Sequence, residues 1–287
     1  MKWSERRERF RAVLDGKTCV YPGSVFDPIS ARIAEEVGFE IGMFAGSVAS
    51  MTVLGAPDLI VLTLSEFADQ AGRICRASAI PLMVDADHGY GNALNVQRTV
   101  EELEIAGISG MSIEDTVLPY AHRSGGKTAL LSVEEGVGKM KAALAGRVDK
   151  SLSIFGRTSA LAVTGLDDCI ERVKAYDAAG VDAIFLVGGT EKSDLEAVAA
   201  ETDLPIMLGG LPESLRDADW LASLGVRICL TGHQPFAASV QATYNTLKAL
   251  RDGTAPKDLQ GVASGELMKR VTRDADYARW TQEFLEG

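Results

Sequence analysis

Short apolar runs recur along this chain, each separated from the next by a longer amphipathic segment, and that alternation leaves few folds open. The candidate strands are residues 19–21, 41–45, 81–85, 110–113, 152–157, 183–187, 205–208 and 227–231. Helical periodicity marks residues 29–37, 64–77, 93–106, 133–144, 166–179, 195–200, 213–224 and 235–251. Eight strands with helical connections predict an α/β fold, a (β/α)8 TIM barrel over about residues 18–250. Two phrases mark βα repeats: Ala106-Gly107-Ile108-Ser109-Gly110 and Ala179-Gly180-Val181-Asp182-Ala183. In each, a glycine ends a helix shortly before a strand.

The ends of the chain add helix. Residues 1–10 are charged and helix-like, unlike a signal peptide. Asp252-Gly253-Thr254-Ala255-Pro256 breaks the last barrel helix, and a tail over about residues 259–285 alternates apolar and charged residues at helical spacing. This tail either folds back on its own barrel or packs on a second subunit. No linker divides residues 1–287, so the expectation is a single domain.

Bulk properties exclude several classes. No run of 18 apolar residues exists, so no membrane partner is expected. A net charge of −11 argues against nucleic acid. The four cysteines, Cys19, Cys75, Cys169 and Cys229, lie far apart without a CxxC pair, which fits a reducing, cytoplasmic setting.

Barrel chemistry sits at the C-terminal ends of the strands. Those ends, with the loops beyond them, carry Tyr21, Asp27, Gly46, Ser47, Asp58, Asp85, Asp87, Glu114, Asp115, Arg157, Thr231 and His233. Asp85 and Asp87 are the most informative. They follow Ile80-Pro81-Leu82-Met83-Val84 and lead into His88-Gly89-Tyr90-Gly91. Residues i and i+2 of a strand share a face, so two carboxylates meet at one spot. A divalent cation with hard oxygen ligands, Mg²⁺ or Mn²⁺, offsets such repulsion. Arg157 has the fork geometry to grip a substrate carboxylate, or else to pair with the acidic cluster. The Gly46-Ser47 turn offers N–H groups and a hydroxyl to an anion. The stretch 119–127, with Ser124-Gly125-Gly126, is the candidate mobile loop.

These residues carry a family resemblance. Tyr21-Pro22-Gly23-Ser24-Val25-Phe26-Asp27-Pro28-Ile29-Ser30-Ala31, Leu54-Gly55-Ala56-Pro57-Asp58 and Val84-Asp85-Ala86-Asp87-His88-Gly89-Tyr90-Gly91 resemble the isocitrate lyase/phosphoenolpyruvate mutase superfamily. Ser112-Ile113-Glu114-Asp115, Gly156-Arg157-Thr158 and the segment 171–180 extend the match, in order. The resemblance implies Mg²⁺ and a 2-oxo-acid substrate. It implies Asp85 as the direct metal ligand, with Asp58, Asp87 and Glu114 supporting the metal through water. It implies Ser47 and Arg157 as substrate-binding residues. It also implies an eighth helix exchanged between subunits of a homotetramer, a dimer of dimers.

Departures from the family pattern narrow the reaction. Residues 115–127 contain no cysteine, so isocitrate or methylisocitrate cleavage lacks its acid–base group. Thr116 stands where the mutase-like and phosphonopyruvate hydrolase pattern has lysine. Thr231-Gly232-His233-Gln234-Pro235 is similar to the oxaloacetate decarboxylase branch. The resemblance therefore implies Mg²⁺-dependent decarboxylation of oxaloacetate to pyruvate and CO₂ through a metal-stabilised enolate. Arg157 and His233 would be the catalytic residues, and Ser47, Arg157 and His233 would contact substrate. The alternatives are a lyase or hydrolase acting on another 2-oxo acid, phosphonopyruvate-like or methylisocitrate-like, and a non-catalytic metabolite-binding barrel.

Overall fold

The computed structural model describes residues 2–286 except Ala121, Ser124 and Thr190. Eight parallel strands form one sheet in sequential order: β1 (Gly23–Ser24), β2 (Gly42–Ala45), β3 (Leu82–Asp85), β4 (Gly110–Glu114), β5 (Ser153–Thr158), β6 (Ala183–Leu186), β7 (Ile206–Leu208) and β8 (Val226–Cys229). A parallel bridge between Val20 and Ile228 joins the segment ahead of β1 to β8. Val20 N–H donates to the Arg227 carbonyl at 2.9 Å, and Cys229 N–H donates to the Val20 carbonyl at 3.0 Å. The sheet thus curls until its first and last strands meet, as in a (β/α)8 barrel.

The helices are α1 (Trp3–Leu14), α2 (Pro28–Glu36), α3 (Gly46–Ala49), α4 (Leu64–Ala77), α5 (Ala93–Ala106), α6 (Val133–Gly146), α7 (Ala160–Val163) and α8 (Leu166–Ala179), of which α3 and α7 are short turns that the sequence pattern does not mark. They continue with α9 (Lys192–Ala199), α10 (Ala218–Ser223), α11 (Gln234–Arg251), α12 (Gly265–Thr272) and α13 (Asp274–Leu285). Gly107 and Gly180 both take the left-handed conformation that closes α5 and α8, with φ of 95° and 94°.

Strand alternation sorts side chains into two layers. Met43, Met83, Phe155, Phe185, Met207 and Ile228 point inward and pack together. Phe10 of α1 enters this cluster from below and meets Phe155 edge-on at 6.0 Å. Outward residues such as Phe44, Val84, Met111 and Ile184 pack beneath the helices. Because the period is two, the residues one step beyond the inward layer, Ala45, Asp85, Glu114 and Arg157, also face inward, at the open C-terminal end.

The structure corrects two expected elements and resolves the tail into its helices. The first ladder to β2 forms at Gly23–Ser24, not at residues 19–21, where Val20 makes only the closing bridge. The helix expected over 213–224 splits into a 3-10 turn, Glu213–Leu215, and α10. The Asp217 carboxylate starts α10 by accepting from the N–H groups of Asp219 and Trp220. The tail is two helices, with Arg273 at φ 61° between them, and α12 docks on α2 through the Arg270–Glu36 ion pair.

Candidate active site

A cleft of about 360 Å³ opens at the C-terminal ends of the strands, at the small end of ligand-site volumes. Its lining includes Ser47, Asp58, Asp85, Asp87, Glu114, Arg157 and His233, so all seven predicted site residues meet there.

Asp85 ends β3 and is held from both sides. Ser112 on β4 donates its hydroxyl to Oδ1 at 2.8 Å, and Arg157 on β5 donates Nη1–H to Oδ2 at 2.5 Å. The other terminal nitrogen of Arg157 lies 3.3 Å from Glu114 Oε2. Burial alone would lower the Arg157 pKa; Asp85, Glu114 and Asp87 outweigh it and hold the guanidinium firmly charged. The pairing with the acidic cluster is therefore present, and the buried Arg157 Nε–H has no hydrogen-bond partner among the described residues.

Asp87 lies past the end of β3 at φ 49°, and its carboxylate rests against the α-carbon of Gly46. A methyl group on Gly46 would collide with it. The same loop keeps Gly89, Tyr90 and Gly91 at positive φ, and the Thr99 hydroxyl donates to the Gly89 carbonyl at 3.0 Å. Burial, then Asp85, Glu114 and Asp58, push the Asp87 carboxyl well above the usual range. Burial and Asp85 also raise Asp58. Glu114 is raised by burial against the opposing pull of Arg157, and it accepts from the Thr116 hydroxyl at 2.9 Å.

His233 lies between β8 and α11, after Gly232 at φ 90°. Its Nδ1 is 2.8 Å from the Ser24 hydroxyl. Burial lowers its pKa while Asp85 opposes the shift, so the ring is neutral near neutral pH.

Other residues named from the sequence lie elsewhere. Asp27 caps α2, accepting from Ser30 N–H at 2.7 Å. Asp115 is fully buried and takes hydrogen bonds from Tyr176 and Arg172 at 2.7 and 3.0 Å, beneath the mouth. The Tyr21 hydroxyl lies 3.5 Å from the Arg216 carbonyl. Thr231 lines an apolar groove behind His233. The cleft also takes in Thr116, Leu118, Tyr120 and Thr128 from the segment after β4. There Thr116 bridges Leu130 in antiparallel fashion. Of the expected loop 119–127, Ala121 and Ser124 lie outside the described residues. Strand patterning could not place these loop residues, because a loop has no side-chain period.

Among the described residues, no three His, Cys, Asp or Glu side chains close round a point as a formed metal site. The donor set nonetheless fits a hard divalent cation. Four carboxylates line the cleft against one arginine, and three of them, Asp58, Asp87 and Glu114, are pushed up chiefly by burial, with Asp85 adding to each. A bound cation would relieve that repulsion.

An acid-lined α/β barrel, with one arginine and one neutral histidine at the mouth, is the class that fold and site define. The chain belongs to the phosphoenolpyruvate phosphomutase family, whose model matches residues 10–251. It is 59% identical over 276 residues to oxaloacetate decarboxylase of Bradyrhizobium diazoefficiens, covering 96% of each chain. It is 57% identical over 275 residues to oxaloacetate decarboxylase of Rhodopseudomonas palustris strain BisB18, covering 96% of this chain and 95% of the relative. Among solved structures, it resembles oxaloacetate acetylhydrolase in complex with 3,3-difluorooxalacetate, with TM-score 0.86, 27% identity and coverage of 99% and 98%. A phosphonopyruvate hydrolase complex with oxalate and Mg²⁺ matches with TM-score 0.85, 27% identity and coverage of 98% and 99%.

Proposed function

We propose that this protein decarboxylates oxaloacetate to pyruvate and CO₂ in a Mg²⁺-dependent reaction. The observation that carries this reading is the make-up of the mouth. Among its described lining residues there is no cysteine and no lysine, whereas His233 and Arg157 are both present. Burial pushes the Cys19, Cys75 and Cys169 thiols up to about 12 and the Cys229 thiol to about 11, so none is poised as a thiolate. Loss of CO₂ from a 3-carboxylate beta to a ketone needs no nucleophile. It needs orientation of the leaving carboxylate and stabilisation of charge on the keto oxygen. The relatives named oxaloacetate decarboxylase support the same substrate.

Asp85 is the residue we assign as direct ligand of Mg²⁺ (Mn²⁺ has the same ligand preference), with Asp58, Asp87 and Glu114 holding its waters. When bound, the metal supplies Lewis-acid stabilisation of the keto oxygen. Ser47 and the turn at Gly46 anchor the 2-oxo-carboxylate end. Arg157 directs its fork at a substrate carboxylate once Asp85 and Glu114 are otherwise neutralised. His233 hydrogen-bonds the substrate oxygen on which charge grows. Phe185, Val187 and Leu230 wall the cleft with apolar surface and limit water around the departing carboxylate.

We read residues 1–287 as one barrel domain with a helical tail, working in the cytoplasm; no helix of the described residues is long and apolar enough to cross a membrane. We also infer exchange of α11 between subunits of a tetramer. No residue of α11 is fully buried in its own chain, where only its start packs inward through Phe236 on Phe26, and Val240, Tyr244 and Leu247 are all more than half exposed. The groove lined by Phe26, Ile33 and Phe39, bordered by the start of the chain's own α11, is the apolar seat we assign to the partner's helix.

A coupled pyruvate assay with and without EDTA tests the reaction. Turnover that survives EDTA would sink the metal-dependent reading. Faster release of phosphate from phosphonopyruvate than of CO₂ from oxaloacetate would displace the substrate.

A further inference from the structure

We propose that Ser24 is a positioning residue for His233, selecting the tautomer that carries its proton on Nε2 and aiming that N–H at the mouth. This deepens the reading of His233 as a substrate-contacting group and rests on it.

The geometry is specific. Ser24 ends β1 and is 9% exposed, and its hydroxyl lies 2.8 Å from His233 Nδ1. The contact crosses the seam where the sheet closes, next to the Val20–Ile228 bridge. Among the described residues, His233 is the sole partner of the Ser24 hydroxyl. His233 lines the acidic cleft, whereas Ser24 lines the apolar groove behind it. Nδ1 therefore faces away from the substrate side, and Nε2 is the ring nitrogen left for a ligand.

A neutral imidazole carries one proton, and the group on one nitrogen decides what the other offers. A carboxylate at Nδ1 would claim the proton there and leave Nε2 as a bare acceptor, the arrangement of a general base. A serine hydroxyl can instead donate to a bare Nδ1, which keeps the proton on Nε2. The negative mouth favours the same state. A lone pair on Nε2 would face Asp85 and an anionic substrate, whereas an Nε2–H donates toward them. The Ser24 O–H completes that state by donating to Nδ1 and fixes the ring's rotation. His233 is thereby set as a hydrogen-bond donor to developing charge, not as a base.

The test combines a spectroscopic and a kinetic readout on the full chain. The sequence has three histidines, so long-range ¹H–¹⁵N spectra resolve each ring. Wild type and Ser24→Thr are expected to show His233 protonated at Nε2. Ser24→Ala should show mixed tautomers and a kcat on oxaloacetate lower by about 10-fold, with KM little changed. Ser24→Cys, a weak donor, should fall between and serves if the alanine variant fails to fold. Adding Ser24→Ala to His233→Gln should cost nothing further, since the two changes act through one group. A wild-type ring protonated at Nδ1 overturns the proposal. So does a Ser24→Ala variant that melts earlier yet keeps its tautomer and kcat. If wild type does not consume oxaloacetate, the reaction reading fails, and the spectra still decide the role of Ser24.

Discussion

Arg157 and Asp85 meet at 2.5 Å across the mouth of the barrel, from the ends of β5 and β3, and Glu114 lies within 3.3 Å of the same guanidinium. One arginine thus serves as counter-ion to carboxylates from two neighbouring strands. Its side chain is only 16% exposed, so removing it leaves those charges poorly solvated.

The Arg157→Met variant follows from that geometry. Breaking a buried ion pair from one side costs roughly 3–5 kcal/mol. Urea denaturation should show a loss of that order without Mg²⁺, and a smaller loss with Mg²⁺ present. Turnover should fall by about 10²–10³, as for loss of an electrostatic donor. A variant with wild-type stability in EDTA would show that the acids do not depend on Arg157.

Asp87 predicts a pH dependence. Burial and its acidic neighbours raise its folded pKa above the unfolded value of an ordinary carboxyl. Between the two values the folded state binds more protons than the unfolded state, so stability falls as pH rises through that window. Thermal melts of the EDTA-treated protein should therefore decline from mildly acidic toward neutral pH. Mg²⁺ should raise the melting temperature more at the upper end of the window. The Asp87→Asn variant should flatten the slope; an unchanged slope would place the effect elsewhere.

The sequence made the barrel and most of the site legible because both follow from period-two alternation at strand ends. Asp85, Glu114 and Arg157 are inward positions one step beyond Met83, Ser112 and Phe155, which the pattern alone locates. Asp27 and Asp115 share the acidic chemistry but not the placement. One caps a helix, and the other turns away from the mouth to meet Arg172 and Tyr176. Ser24 and Tyr120 were illegible as site residues. Ser24 acts across the closing seam on a residue 209 positions away, and Tyr120 sits on a segment with no periodicity.

Gly46 is needed for space. Its φ is not in the left-handed region, yet the Asp87 carboxylate packs where a side chain would stand. Gly46→Ala should displace Asp87, weaken Mg²⁺ binding measured by calorimetry, and lower turnover, with the fold intact by circular dichroism. Wild-type Mg²⁺ affinity in that variant would remove Asp87 from the metal's surroundings.

The bare face of α11 predicts assembly. Tyr244 and Leu247 are 63% and 62% exposed in the single chain, and a partner would cover them. Leu247→Glu should shift the mass measured by light scattering toward dimer or monomer, leaving the circular dichroism of the barrel unchanged. An unaltered assembly would mean that this face is not the contact.

His233 is the residue on which the proposed reaction turns. Burial holds its pKa below the ordinary 6.5 despite Asp85, so the ring takes up its proton at lower pH than a free imidazole does. If the neutral N–H is the active form, the acid limb of kcat should lie at lower pH than an ordinary histidine would give. His233→Gln should lower kcat by about 10²–10³, the usual cost of a donor aimed at developing charge. Because glutamine is close in volume, the melting temperature should move little, which separates a chemical loss from a structural one. Unchanged kcat in His233→Gln would leave decarboxylation to Arg157 and the metal alone, and Ser24 would then orient a bystander.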